Sequence, residues 1–209
     1  VKRIILALDV YDREEAIRIA EETKEYLWGI KVNWPLILGS GLGIIGELKK
    51  FGLPIIADFK VADIPNTNRL IAKKTFEVGA DYIIAHAFVG RDSIKAIQEE
   101  GEVILVVEMS HPGAREFIQP NTDRFIEMAN ELKPFGVIAP ATRPERVRYI
   151  RERLNREIKI LTPGVGAQGG SVEVLKAGAD YIIVGRSIYK SKNPGESARR
   201  IAEEIENGV

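Results

Sequence analysis

Short apolar runs alternate with amphipathic stretches along the whole chain. The runs lie at Arg3 to Asp9, Trp28 to Asn33, Pro54 to Lys60, Tyr82 to Phe88, Val103 to Met109, Gly136 to Ala141, Lys159 to Pro163 and Tyr181 to Arg186. Near-continuous apolar runs of this length read as strands of a parallel sheet covered on both faces. Between them, apolar residues fall at helical spacing. In the first gap Asp12 can cap a helix with Ala16, Ile17, Ile19, Ala20 and Thr23 on the buried side, while Glu14, Glu15, Arg18 and Glu21 face water. Successive strands lie roughly 20 to 28 residues apart, which gives about eight β/α units. The pattern predicts an α/β chain closed into a (β/α)8 barrel, with an open doubly wound sheet as the alternative. No Pro-, Ser- or Gly-rich linker divides the chain, so one domain over residues 1–209 is expected.

One echo runs through the pattern. Gly79-Ala80-Asp81-Tyr82-Ile83-Ile84 returns as Gly178-Ala179-Asp180-Tyr181-Ile182-Ile183. Both copies read as a helix end with Gly at its C-cap, a turn and the start of a strand.

Composition narrows the function classes. Thirty Lys and Arg balance thirty Asp and Glu, so the total charge favours neither nucleic acid nor an anionic membrane, and a small-molecule partner is expected. The absence of Cys removes disulfides, thiolate nucleophiles and Cys-ligated metal. His86 and His111 have no second His at ligand spacing and read as a packed histidine and a loop residue. No apolar run reaches the ~18 residues of a membrane span, and the start, VKRIILALDV, reads as a strand and not a signal peptide. A cytoplasmic protein is expected. Charged residues at 29%, with no Cys and two Met, would suit heat adaptation.

In a (β/α)8 barrel the chemistry sits at the C-terminal strand ends. Here those ends carry Asp9, Lys31, Asp58, Lys60, Glu108 and Ser110. Asp58 and Lys60 project to one side by strand alternation. Asp63 follows in the connecting loop, and Pro65 suits the first turn of the next helix, so three charged groups are expected at one mouth. A lone D-x-K is ordinarily a surface ion pair. After the seventh strand, Pro163, Gly164, Val165, Gly166, Ala167, Gln168, Gly169 and Gly170 lead toward a helix near Ser171. Backbone N–H groups of such a loop can face an anion. Gly185 and Arg186, after the eighth strand, complete a phosphate site, Arg186 with a planar fork.

Two other glycine patterns compete. Gly164 to Gly169 spells G-x-G-x-x-G but leaves too little chain for a dinucleotide domain. Gly41 to Gly46 spells it again, yet Pro35 to Ser40 separate it from the second strand.

The run Asp58-Phe59-Lys60-Val61-Ala62-Asp63-Ile64-Pro65-Asn66-Thr67 resembles the D-x-K-x-x-D-I-P-N-T signature of the orotidine 5'-phosphate decarboxylase family. The likeness extends over nearly the whole chain, through Leu6-Ala7-Leu8-Asp9, Lys31, Pro163 to Gly170 and Gly185-Arg186. It implies a TIM barrel that converts orotidine 5'-phosphate to uridine 5'-phosphate in de novo pyrimidine biosynthesis, with no metal and no cofactor. Lys31, Asp58, Lys60 and Asp63 would form the charge network, and Lys60 would protonate C6. Asp9 would bind the ribose and Ser110 the pyrimidine. Pro163, Gly164, Val165, Gly166, Gln168, Gly169, Gly185 and Arg186 would hold the phosphate. Asp63 and Thr67 would reach the neighbouring subunit's site, which implies a homodimer. Ser171 stands where many relatives carry Asp, a change that keeps a helix-capping side chain. The nearest rivals are magnesium-dependent sugar-phosphate enzymes that share D-x-K-x-x-D. Those place a second acid on strand two, where this chain has Lys31. A nicotinamide-dependent oxidoreductase and a non-catalytic phosphate-binding barrel remain alternatives.

Overall fold

In the computed structural model, which describes residues 1–208, the apolar runs become eight parallel strands. They are β1 (Ile4–Ala7), β2 (Leu27–Asn33), β3 (Ile55–Val61), β4 (Tyr82–His86), β5 (Glu102–Val106), β6 (Gly136–Ile138), β7 (Lys159–Pro163) and β8 (Tyr181–Val184). Each pairs with the next, and β8 pairs back onto β1 through Ile4 and Ile182. The open-sheet alternative is therefore excluded.

Alternation along the strands sorts the core into two layers. Ile5, Ala7, Ile56, Ile84, Ile104 and Val106 point into the barrel, while Ile4, Leu6, Ala57, Ile83, Ala85 and Leu105 point outward under the helices. Asp12 caps the first helix, Arg13–Thr23, by accepting from Glu15 N at 2.8 Å. Ala16, Ile19, Ala20 and Thr23 are buried as expected, whereas Ile17 is half-buried.

Several strands stop short of their apolar runs. β4 ends at His86, where the chain enters a 3-10 turn, Ala87–Val89, closed by Gly90 at φ 94°. β8 ends at Val184, and Arg186 already opens a short helix, Arg186–Tyr189. The helix expected near Ser171 is a six-residue 3-10 segment, Val172–Ala177. Ser171 does cap it, accepting from Glu173 N at 3.2 Å, and Gly178 ends it in the left-handed region at φ 110°. Gly41 to Gly46 lie between the helices Trp34–Ser40 and Ile44–Lys49, not at a strand-to-helix turn, so they form no dinucleotide fingerprint.

The repeated segment has a structural use beyond its turn. Asp81 accepts from Ile55 N at 2.8 Å and Asp180 from Ile160 N at 2.9 Å, so each carboxylate satisfies an N–H at the start of the preceding strand. The following residues, Tyr82 and Tyr181, join Trp28 and Phe135 as an aromatic plug across the barrel's N-terminal end, with Trp28 and Tyr181 centroids 4.3 Å apart. Trp28 is thus a packing residue. The two copies sit on β4 and β8, at matching positions in the two halves of the barrel.

Candidate active site

The opposite end of the barrel is built around an irregularity in β3. Ala57 pairs with Ile83 and Val61 with Ala85, so four steps along β3 face two along β4. Lys60 sits in that bulge with φ 45°, a left-handed conformation that a non-glycine residue holds only at a cost on the order of 1 kcal/mol. Asp58 and Lys60 do meet on one side, through a bulge as well as through plain alternation. Lys60 Nζ donates to Asp58 Oδ1 at 2.8 Å and Oδ2 at 3.0 Å, and Lys31 Nζ donates to Oδ2 at 2.6 Å.

Asp58 is 4% exposed and Lys31 5%. Burial alone would push the Asp58 carboxyl up, but the ammonium groups of Lys31 and Lys60 outweigh it and hold the carboxyl below its ordinary range. Burial likewise opposes the charge on Lys31, and Asp58 and Asp9 outweigh it, so the ammonium is held above its ordinary value. Lys31 and Asp58 stay ionised at neutral pH because each compensates the other. Lys60 is the outer member, its side chain 35% exposed toward a cavity of about 240 Å3.

The cavity gathers most of the expected residues: Asp9, Lys31, Asp58, Lys60, Ser110, Pro163, Gly164, Val165, Gln168, Gly185 and Arg186. Ile84, Val106, Ile138 and Ile183 form its apolar floor. Asp9 Oδ1 is buried with no hydrogen-bond partner, an acceptor available to a ligand donor.

Four expected residues do not line the cavity. Gly166 and Gly169 shape the loop from behind, at φ 81° and 90°. Gly166 N donates to Gly170 O, Gly169 N to Gly166 O and Gly170 N to Gly164 O, at 2.8 to 2.9 Å, so these N–H groups hold the loop together and do not point at an anion. The mouth of three charges also needs correction. Asp63 is exposed, its Oδ1 accepts from Ile64 N at 2.7 Å, and among the described residues it makes no ion pair. Thr67 lies on the following helix, Pro65–Glu77, outside the cavity of its own chain.

Glu108 follows β5 but faces away from the cavity. It is fully buried, bound by Arg146 at 2.8 Å and by Thr122 Oγ1 at 3.1 Å, and it ties this strand end to the outer helices. Arg143, beside it, donates to Ser110 O at 3.1 Å and steadies the segment that carries Ser110. His86 Nδ1 is buried and unpartnered, and burial with the neighbouring Lys60 lowers the imidazole to about 4, so it is neutral near pH 7. His111 is an exposed loop residue. Asn33, Met109 and Tyr189 also line the cavity and escaped sequence reasoning. Asn33 lies two residues beyond Lys31 on the same strand face, and Tyr189 about one helical turn beyond Arg186, so periodicity offered a signal for both.

Among the described residues no cluster of three or more His, Cys, Asp or Glu could hold a metal ion, and no helix is long and apolar enough to cross a membrane.

The family model described as orotidine 5'-phosphate decarboxylase / HUMPS matches residues 2–201. The chain belongs to this family. Orotidine 5'-phosphate decarboxylase of Thermococcus kodakarensis is 75% identical over 205 residues, 97% of this chain and 96% of that protein. The Pyrococcus furiosus enzyme is 72% identical over 204 residues, 97% of each. The crystal structure of the Pyrococcus horikoshii enzyme superposes with a TM-score of 0.94 at 66% identity, covering 99% of this chain and 100% of that one. The Methanocaldococcus jannaschii enzyme, complexed with inhibitor BMP, gives 0.93 at 50% identity, covering 98% of each. Family membership at this level makes the chain an enzyme, a carboxy-lyase.

Proposed function

We propose that the protein converts orotidine 5'-phosphate to uridine 5'-phosphate, a step of pyrimidine biosynthesis, using its own charged side chains and no metal or organic cofactor. The observation that carries this reading is the hydrogen-bonded Lys31–Asp58–Lys60 cluster, with Lys60 as its outer member at the cavity. Decarboxylation breaks the bond from C6 to the carboxyl carbon and leaves the electron pair on C6, where the ring offers no orbital to spread it. A fixed ammonium beside C6 lowers the energy of that developing charge, and its proton then forms the new C6–H bond. Two ammonium groups already compensate Asp58, so its main effect is to anchor Lys60, and repulsion of the substrate carboxylate is secondary.

Arg186 and the Gln168 side chain supply the phosphate contacts, since the glycine N–H groups named above are engaged within their own loop. Asp9 accepts from the ribose, and Ser110 contacts the pyrimidine. Asp63 and Thr67 serve a neighbouring copy's cavity in a homodimer. Exposed Trp34, Ile64 and Phe88 support that arrangement, because they follow the C-terminal ends of the adjacent strands β2, β3 and β4, and exposed Leu70 lies on the helix that follows Asp63.

The test is turnover of orotidine 5'-phosphate by EDTA-treated protein, followed by loss of substrate absorbance. Undiminished turnover is expected. Activity that vanishes with EDTA and returns with magnesium would replace this reading with a metal-assisted one, which Lys31 opposes by placing an ammonium where a divalent cation needs an acid.

A further inference from the structure

Asn33 ends β2 between two acids. Its neighbour across β3 is Asp58, and extending the β1–β2 pairing of Ala7 with Lys31 by two residues on each strand brings Asp9 opposite Asn33 on the other side. All three line the cavity. The amide cannot rotate freely, because Asn33 Oδ1 accepts from Trp34 N at 2.7 Å at the start of the helix Trp34–Ser40. Trp34 is itself pinned to the β3 bulge, its indole N–H donating to Phe59 O at 3.2 Å and its ring stacked on Phe59 at 4.6 Å. With the oxygen committed to the backbone, the NH2 group is what the side chain offers the cavity, and among the described residues it donates to nothing. The rim therefore presents acceptor, donor and acceptor in a row, and Asp9 Oδ1 is buried without a donor. A hydroxyl needs both kinds of partner, one for its proton and one for its oxygen.

We infer that Asn33 is a further substrate-positioning residue, donating from Nδ2 to a hydroxyl oxygen of the substrate's ribose while Asp9 accepts from the same diol, so that together they select ribonucleotides over deoxyribonucleotides. This rests on the nucleotide reading above.

The experiment measures calorimetric affinities of the wild type, Asn33→Ser and Asn33→Asp for uridine 5'-phosphate and its 2'-deoxy and 3'-deoxy analogues. Both variants retain an oxygen for Trp34 N–H, and melting temperatures check that they fold. Asn33→Ser should weaken the ribonucleotide about tenfold while weakening at least one deoxynucleotide less than about twofold. Asn33→Asp adds a third carboxylate and should weaken every nucleotide, yet it too should lose the preference for ribose. Equal losses for all three ligands, or unchanged affinity of Asn33→Ser for uridine 5'-phosphate, would overturn the inference alone. A wild-type protein that does not bind uridine 5'-phosphate would overturn the functional reading with it.

Discussion

At the N-terminal end of the barrel, charged side chains serve the backbone. Asp81 and Asp180 each accept a strand N–H, and four aromatic rings, three from the strands β2, β4 and β8 and Phe135 from just before β6, close the opening above them. At the C-terminal end of the same strands, Lys31, Asp58 and Lys60 bond mainly to one another around an open cavity, and Lys60 holds a backbone conformation that resists a side chain. One end satisfies every group it can, while the other keeps charge and strain in reach of a ligand. Stability and chemistry are thus divided along the length of single strands, a separation the barrel architecture permits because loops at the two ends vary independently.

Substitutions at the two ends should separate these roles. The largest effect should come from Asp58→Ala, which leaves Lys31 buried with only Asp9 to compensate it. It should cost about 3–5 kcal/mol in chemical denaturation and abolish turnover as well. Trp28→Ala, in the plug, should cost about 3 kcal/mol of stability yet leave kcat and KM of the folded protein within about twofold of wild type. A plug variant that loses turnover while fully folded would break the division between the ends.

The smallest effect is a pH dependence. His86 titrates near 6.5 in the unfolded chain and about 4 in the folded one, held down by burial and by Lys60. Between these values the unfolded state binds the proton and the folded state does not, so stability should fall as pH drops through that window. The loss should be on the order of 1 kcal/mol, because the ring is partly exposed. The Asp58 carboxyl, held below its ordinary value of 3.8, loses its contribution only at more acid pH, outside the window. Urea denaturation of wild type and His86→Leu at pH 7 and pH 4.5 measures this. An equal drop in both proteins would remove His86 as the cause.

Much of this division was legible in the residue pattern. Apolar runs bounded by polar or glycine residues marked all eight strands, since a parallel strand buried on both faces leaves a continuous signal. The polar strand ends likewise marked most of the cavity's lining. Other features depend on contacts that periodicity does not encode. The bulge at Lys60 has no glycine to announce it, and only the pairing of β3 with β4 reveals it. Glu108 looked like a rim residue until Arg146 and Thr122 drew it outward. Asp63, shortly after the charged pair in sequence, is turned onto its own loop by the Ile64 N–H. The glycine loop looked like an anion cradle, but which of its N–H groups are free depends on how the loop folds on itself.

The most direct test of the central claim is Lys60→Ala, with turnover of orotidine 5'-phosphate and melting temperature measured on the same preparation. Asp58 keeps its bond to Lys31 in this variant. The account predicts a loss of turnover of about ten-thousandfold or more, with a melting temperature within a few degrees of wild type. Turnover within about tenfold of wild type, or a loss explained by unfolding, would contradict it.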